Sequence, residues 1–185
     1  MILPIVVYGD AVLRKKTEEI TIDYPQLQKI IENMFETMYN ARGVGLAAPQ
    51  VGLPISLFVI DSTEMEDEES NVQPVKRVFV NAEIIERNGE DCVFSEGCLS
   101  VPDIHENVIR KGQIVIRYMD EQFEEHVDTF EGMPARVIQH EYDHILGRTF
   151  IDHLSPLKKT LLKSKLNDIS TGKKTTFYKT KPNKK

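Results

Sequence analysis

His140-Glu141-Tyr142-Asp143-His144 sets two imidazoles four residues apart with a carboxylate next to the first. On a helix of about 3.6 residues per turn the two rings stand roughly 40° apart on one face, so both reach a single ion. Glu141 falls on the flank of that face, outside direct ligation but near enough to exchange a proton with a water held there. This arrangement suits metal-assisted hydrolysis with the glutamate as general base.

A catalytic site of this type uses three protein ligands and keeps one position open. Downstream candidates fail. In the extended pattern H-E-x-x-H-x-x-G-x-x-H, Gly147 matches the glycine but Phe150 stands in the last histidine's place, and Asp168 is the only acid after Asp152. The third ligand is therefore expected upstream, where Glu96-Gly97-Cys98-Leu99-Ser100 offers a thiolate, a soft ligand whose charge offsets half that of a divalent ion. Cys98 also admits readings as a small buried hydrophobe or as a nucleophile paired with histidine, and the H-E-x-x-H spacing favours ligation. Cys92, in a strand-like stretch, is expected to be an ordinary core thiol.

Gly43-Val44-Gly45-Leu46-Ala47-Ala48-Pro49-Gln50 is a run of small residues where backbone can approach a ligand closely. Gln50 ends it with a neutral amide donor suited to a developing oxyanion, a role typically worth a few kcal/mol in the transition state. The backbone N–H of Leu99 is the natural second donor.

GVGLAAPQ, EGCLS and HEYDH, in this order and at this spacing, resemble the three signature motifs of the peptide deformylases. The resemblance covers roughly the first 165 positions, from Pro4-Ile5-Val6-Val7-Tyr8-Gly9-Asp10 to Ser155-Pro156-Leu157-Lys158. It implies an α+β fold in which antiparallel sheets surround a central metal-binding helix, followed by a C-terminal helix. It implies removal of the N-formyl group from formylmethionine of newly synthesised polypeptides, with release of formate. One divalent ion per chain would be held by Cys98, His140 and His144, ferrous iron in the cell and zinc, nickel or cobalt in purified protein. A water activated by that ion would attack, Glu141 would act as general base and then acid, and Gln50 and the Leu99 N–H would stabilise the oxyanion.

Positions matching the family's methionine pocket are Val44, Gly45, Phe94, Glu96, Gly97, Met133 and Val137, together with His140. Arg136 stands where some relatives carry an aliphatic residue, and its stem is expected to line the pocket while its head reaches solvent. His105 replaces an arginine that lies near the substrate backbone in some members, which removes the basis for carrying that role over. Arg110 matches a recurrent arginine and suggests a Glu96–Arg110 pair bracing the cysteine turn. A general metallopeptidase, or a binding module stabilised by an inert ion, are the alternative readings of the same residues.

With 185 residues and 41% hydrophobic content the chain can build its own core, and a catalytic domain over 1–169 with a basic, disordered tail over 170–185 is expected. No stretch reads as a secretory leader or a membrane span, and the cysteines show no disulfide pattern. A soluble cytoplasmic protein is expected. Residues 1–157 carry 13 basic and 28 acidic side chains, whereas 158–185 carry ten lysines and one aspartate. In some bacterial members the C-terminal helix docks on the ribosome, which Lys158, Lys159, Lys163 and Lys165 would suit. Neither membrane binding nor sequence-specific nucleic-acid recognition is expected. The acidic run 61–70 reads as an exposed loop.

The motifs need elements to carry them. Apolar spacing predicts a helix over 25–40 capped by Asp23, one from Pro134 to Gly147 carrying the histidines, and one over 156–167. In the last, Leu157, Leu161, Leu162 and Leu166 are expected on one face. Strands are predicted over 56–60, 77–80, 114–118 and 124–130, with connections short enough to be antiparallel.

Overall fold

Leu57, Phe58, Val59 and Ile60 are all fully buried, so the strand they form has protein on both of its faces. A computed structural model describes residues 1–63 and 72–183. In it this strand, β3 (Leu57–Asp61), lies in a five-stranded sheet with β2 (Gly45–Ala47), β4 (Lys76–Cys98), β5 (Val101–Met119) and β6 (Glu125–Glu131). The order is β2-β3-β4-β5-β6, and every pair is antiparallel.

Alternation along β3 divides the interior. Phe58 and Ile60 point into a core with Ala135, Ile138, Tyr142 and Ile145 of helix α2 (Gly132–Ile145). Leu57 and Val59 point the other way, against Leu27, Ile31, Met34 and Met38 of helix α1 (Leu27–Asn40). The sheet is thus clasped between two helices, as two-layer burial on each side requires. A third cluster joins Val101, Ile104 and Val108 of β5 to Leu162, Leu166 and Ile169 of helix α3 (Pro156–Ser170).

Several boundaries differ from the sequence expectation. Helix α1 begins at Leu27 rather than Pro25, after Gln26 in the left-handed region, and Asp23 does not cap it. The Leu27 N–H donates instead to the Tyr24 carbonyl, closing a turn that absorbs the first residues. Strands β4 and β5 run far beyond the predicted 77–80 and 114–118. The outer stretch of β4 is largely exposed, and in β5 the inward Val101, Ile104 and Val108 are spaced among polar residues, so hydrophobic content did not mark either strand over its full length. Register shifts near residues 81–82, 85, 89–90 and 97 bend this long hairpin. Cys92 sits on the exposed part, and is not the core thiol expected.

On α3 only Leu162, Leu166 and Ile169 are buried, whereas Leu157 and Leu161 are 70% and 72% exposed. At about 100° per residue, positions 157 and 161 lie roughly 80° or more away from that buried stripe. Residues 171–183 lie against the body of the chain. Strand β7 (Thr180–Lys181) pairs in parallel with β1 (Ile5–Val6), and the Asn183 amide donates to the Gly9 carbonyl at 2.9 Å. Backbone pairing holds this segment where apolar periodicity is lacking. The acidic-loop expectation rests chiefly on residues 64–70, outside the described residues. Among the described residues no helix is long and apolar enough to cross a membrane.

Phe79 is fully buried at the meeting of Phe58, Tyr118 and Phe130, with ring centres 4.6, 4.4 and 5.9 Å away. Phe79→Ala leaves a cavity in that aromatic cluster and is expected to cost about 3–5 kcal/mol. Urea unfolding checks this. A loss under about 1 kcal/mol would mean the cluster repacks freely and is not the rigid support described.

Candidate metal centre

Helix α2 is buried along nearly its whole length, and its spacing carries His140 and His144 to one side with ring centres 5.3 Å apart. Cys98 comes from the end of β4, where Leu99 and Ser100 reverse the chain into β5 and Cys98 pairs with Val101. The sulfur lies 3.3 Å from His144 Nε2. One donor atom from each of Cys98, His140 and His144 lies within 4.8 Å of the others.

Glu96, two residues before the cysteine, aims the first histidine. His140 Nδ1–H donates to Glu96 Oε2 at 2.9 Å, which leaves Nε2 for the centre. Arg110 from β5 grips the same carboxylate in a fork, Nε to Oε1 at 2.6 Å and Nη2 to Oε2 at 3.0 Å. Its Nη1 donates to Asp143 of α2 at 2.8 Å, and His153 Nε2 stands 2.8 Å from the same Asp143 oxygen. Burial alone would raise the Glu96 carboxyl, but hydrogen bonds from His140 and Arg110 hold it well below the usual carboxylate range.

Arg136 corrects the sequence expectation. Its head is buried rather than in solvent, donating to Glu96 Oε1 at 2.7 Å, Cys92 O at 2.6 Å and Val108 O at 3.3 Å. A buried carboxylate has lone pairs to spare beyond one arginine fork, and a guanidinium has donors enough to fill them while also tying down strand carbonyls.

Gln50 lies in a 3-10 turn (Ala48–Val51) that follows β2. Its Oε1 accepts the Ala47 N–H at 2.8 Å, so the amide nitrogen must face the other way, 3.5 Å from Cys98 Sγ and 3.3 Å from Ser100 Oγ. The donor end therefore points toward the sulfur. Gly45 explains its own place in the motif: a Cβ there would lie 2.5 Å from Glu141 Oε1.

Glu141 is 4% exposed, and its Oε2 has no hydrogen-bond partner among the described residues; nor has His144 Nδ1. Burial pushes the Glu141 carboxyl up to about 7, only partly countered by the neighbouring imidazoles. Cys98 goes the other way. Burial raises the thiol, but attraction from His144 and hydrogen bonding from His140 outweigh it and bring the group to about 5. A thiolate with two imidazoles is a donor set suited to a borderline divalent ion.

A cavity of about 490 Å³ opens onto this centre. Val44, Gly45, Phe94, Glu96, Gly97, Met133 and Val137 all line it, with Gln50, Cys98, Leu99, His140 and Glu141; His144 lies fully buried. His105, whose carried-over role the sequence put in doubt, also lines the cavity, and reading the sequence missed Arg42 and the stretch Thr176-Phe177-Tyr178. Arg42 directly precedes the glycine motif and could have been suspected, whereas nothing in the lysine-rich end signalled 176–178. A second grouping, Asp120, Glu124 and His126, is partly exposed and serves its own turn: Asp120 accepts from the Gln122 and Glu124 N–H groups and stands 2.7 Å from His126 Nε2.

Comparisons with known proteins agree with this geometry. A family profile described as Polypeptide deformylase matches residues 2–160. A peptide deformylase of Christiangramia forsetii is 53% identical, with 100% of this chain and 98% of that protein covered. One from Flavobacterium johnsoniae is 53% identical, covering 98% and 96%. Among solved structures, a peptide deformylase from Legionella pneumophila is 40% identical with a TM-score of 0.79, covering 91% of this chain and 95% of its own. A plant peptide deformylase gives 34% identity and a TM-score of 0.82, covering 92% and 90%. With a family profile matching residues 2–160 and a relative 53% identical over the whole of this chain, this chain belongs to the polypeptide deformylase family.

Proposed function

We propose that this chain hydrolyses the N-formyl group of formylmethionine at the start of newly synthesised polypeptides, giving formate and a free amino terminus. The observation that carries the reading is the convergence of the Cys98, His140 and His144 donor atoms within 4.8 Å, beside a buried glutamate with an unpartnered oxygen. Bound by those three side chains, a divalent ion supplies Lewis acidity and lowers the pKa of a water beside it to roughly 7.

The protein's own groups do the rest. Glu141 Oε2, which has no hydrogen-bond partner among the described residues, accepts the proton of the attacking water and passes it to the leaving amine. Gln50 Nε2 and the Leu99 N–H donate to the formyl oxygen as it becomes an oxyanion. Val44, Met133 and Val137 offer the apolar wall a thioether side chain needs. Glu141 packed against Gly45 leaves little room beyond the carbonyl carbon, which suits an acyl group whose only further substituent is hydrogen.

Ferrous iron is the ion we assign in the cell, with zinc, nickel or cobalt in purified protein; the thiolate-imidazole set accepts all of them. We place the activity in the cytoplasm, where nascent chains emerge. Lys158, Lys159, Lys163 and Lys165 on α3 are the residues we propose for ribosome docking, and binding there should weaken steeply with salt.

The discriminating assay is formate release from a formyl-Met peptide after anaerobic reconstitution with each metal. Formate should appear, and the unformylated peptide should stay intact. Cleavage of the latter would favour a general metallopeptidase, and turnover of neither would favour an inert metal-stabilised module. Glu141→Gln should retain metal and lose turnover by several orders of magnitude; wild-type rates would remove the assigned base.

The same substitution has a stability consequence of definite sign. In the metal-free protein the Glu141 carboxyl sits at about 7 against an ordinary 4.5, so below pH 4.5 it is neutral both folded and unfolded and costs nothing. Between pH 4.5 and 7 the cost grows, and above 7 it levels off at about 3 kcal/mol. Glu141→Gln is therefore expected to raise the melting temperature at pH 8 in chelator, by on the order of 5–10 °C, with no gain at pH 4.5. Equal melting temperatures at pH 8 would contradict an uncompensated buried carboxylate.

A further inference from the structure

Thr176, Phe177 and Tyr178 line the same cavity as Gln50, Cys98 and Glu141, although they follow the last helix in a segment that the family profile does not reach. Contacts of different kinds hold this segment in place. The Ile5 N–H donates to the Lys179 carbonyl at 2.8 Å beside the β1–β7 pair, and Lys174 forms an ion pair with Asp103. The Tyr178 hydroxyl donates to the Leu99 carbonyl at 2.8 Å, on the turn next to Cys98. The Arg42 guanidinium lies 5.2 Å from the centre of the Phe177 ring, a cation–π distance.

Along this wall the contacts run outward from the reacting end. Gly45 abuts Glu141, Gly43 abuts Leu99, and the exposed Arg42 carries Phe177. Phe177 is therefore at the outer end, 68% exposed, an apolar ring held in position but not covered. The cavity, at about 490 Å³, lies in the range that buries whole drug-sized ligands, more than a single formylated residue fills.

We propose that residues 176–178 complete the substrate groove, with Phe177 as a specificity residue that contacts an apolar side chain of the peptide beyond its formylmethionyl residue. Tyr178 is a positioning residue: its bond to Leu99 fixes the strap at the height where Phe177 meets the peptide. This inference rests on the deformylase reading above. Binding an apolar side chain against a ring already held in place needs little further ordering, so the contact favours peptides with bulky apolar residues after methionine.

The test is a selectivity ratio, which does not depend on the fraction of active enzyme. Formate release is measured from formyl-Met-Leu-Leu and formyl-Met-Ala-Ala with the full chain, metal-loaded. The wild type is expected to prefer the leucine peptide. Phe177→Ala should reduce the ratio of kcat/KM values about five- to tenfold, chiefly through KM, and Phe177→Leu should restore most of it. Tyr178→Phe should move the ratio in the same direction by a smaller factor. A ratio within twofold of wild type in Phe177→Ala overturns the inference while leaving the deformylase reading intact. Formate from neither peptide with the wild-type chain overturns that reading, and this inference with it.

Discussion

One buried carboxylate organises the centre. Glu96 on β4 accepts from Arg110 on β5 and from Arg136 and His140 on α2, so three elements meet on two oxygen atoms. Taking such charges out of water is costly, and the arrangement survives only because almost every lone pair is filled. Asp143 pairs with Arg110 as well, so two carboxylates face two arginines. His140 is aimed by its hydrogen bond to the same carboxylate as the arginines, that of Glu96. The consequence reaches the sulfur, because Cys98 is two residues from Glu96 and any slip of β4 against α2 would move both together.

The long hairpin is the means by which distant sequence reaches that cluster. A strand of ordinary length would end near the core, whereas β4 extends over 23 residues and returns its last turn to the helix. Each register shift adds twist, and together they bring the Cys98 turn under α2. The buried inner half of the sheet, clasped by α1 and α2, supplies the rigidity against which this reach can be held to within an ångström.

Legibility in the sequence followed the kind of force at work. His140 and His144 were readable because a helix converts a spacing of four into proximity, and Cys98 and Gln50 because their motifs carry the chemistry with them. Helix α2, the inner strands and the buried carboxylate–arginine pair of Glu96 and Arg110 were also foreseen. The outer hairpin was not, since β4 there is largely exposed and the few inward residues of β5, Val101, Ile104 and Val108, are spaced among polar ones. Arg136 was misplaced for a different reason: a lone arginine gives no sign that a carboxylate with vacant lone pairs awaits it in the interior. The strap over 171–183 is held by backbone pairing and a few side-chain contacts with remote partners, which composition cannot express.

The centre also shows where stability and chemistry part. Glu96 accepts on both oxygens and Asp143 accepts twice on Oδ2, and both lie below their ordinary titration range, as groups that only hold structure should. Glu141, one residue from His140, is left with an empty oxygen and is pushed upward instead. The two environments differ in what the fold supplies: arginines on one side of α2, and on the other a glycine whose missing Cβ admits the carboxylate without bonding it. A partner for Oε2 would stabilise the fold and lower the pKa, and it would also occupy the oxygen that the proposed proton transfer uses. An unfilled bond at Glu141 is thus what the proposed chemistry asks of this buried network, although a packing argument alone would fill it.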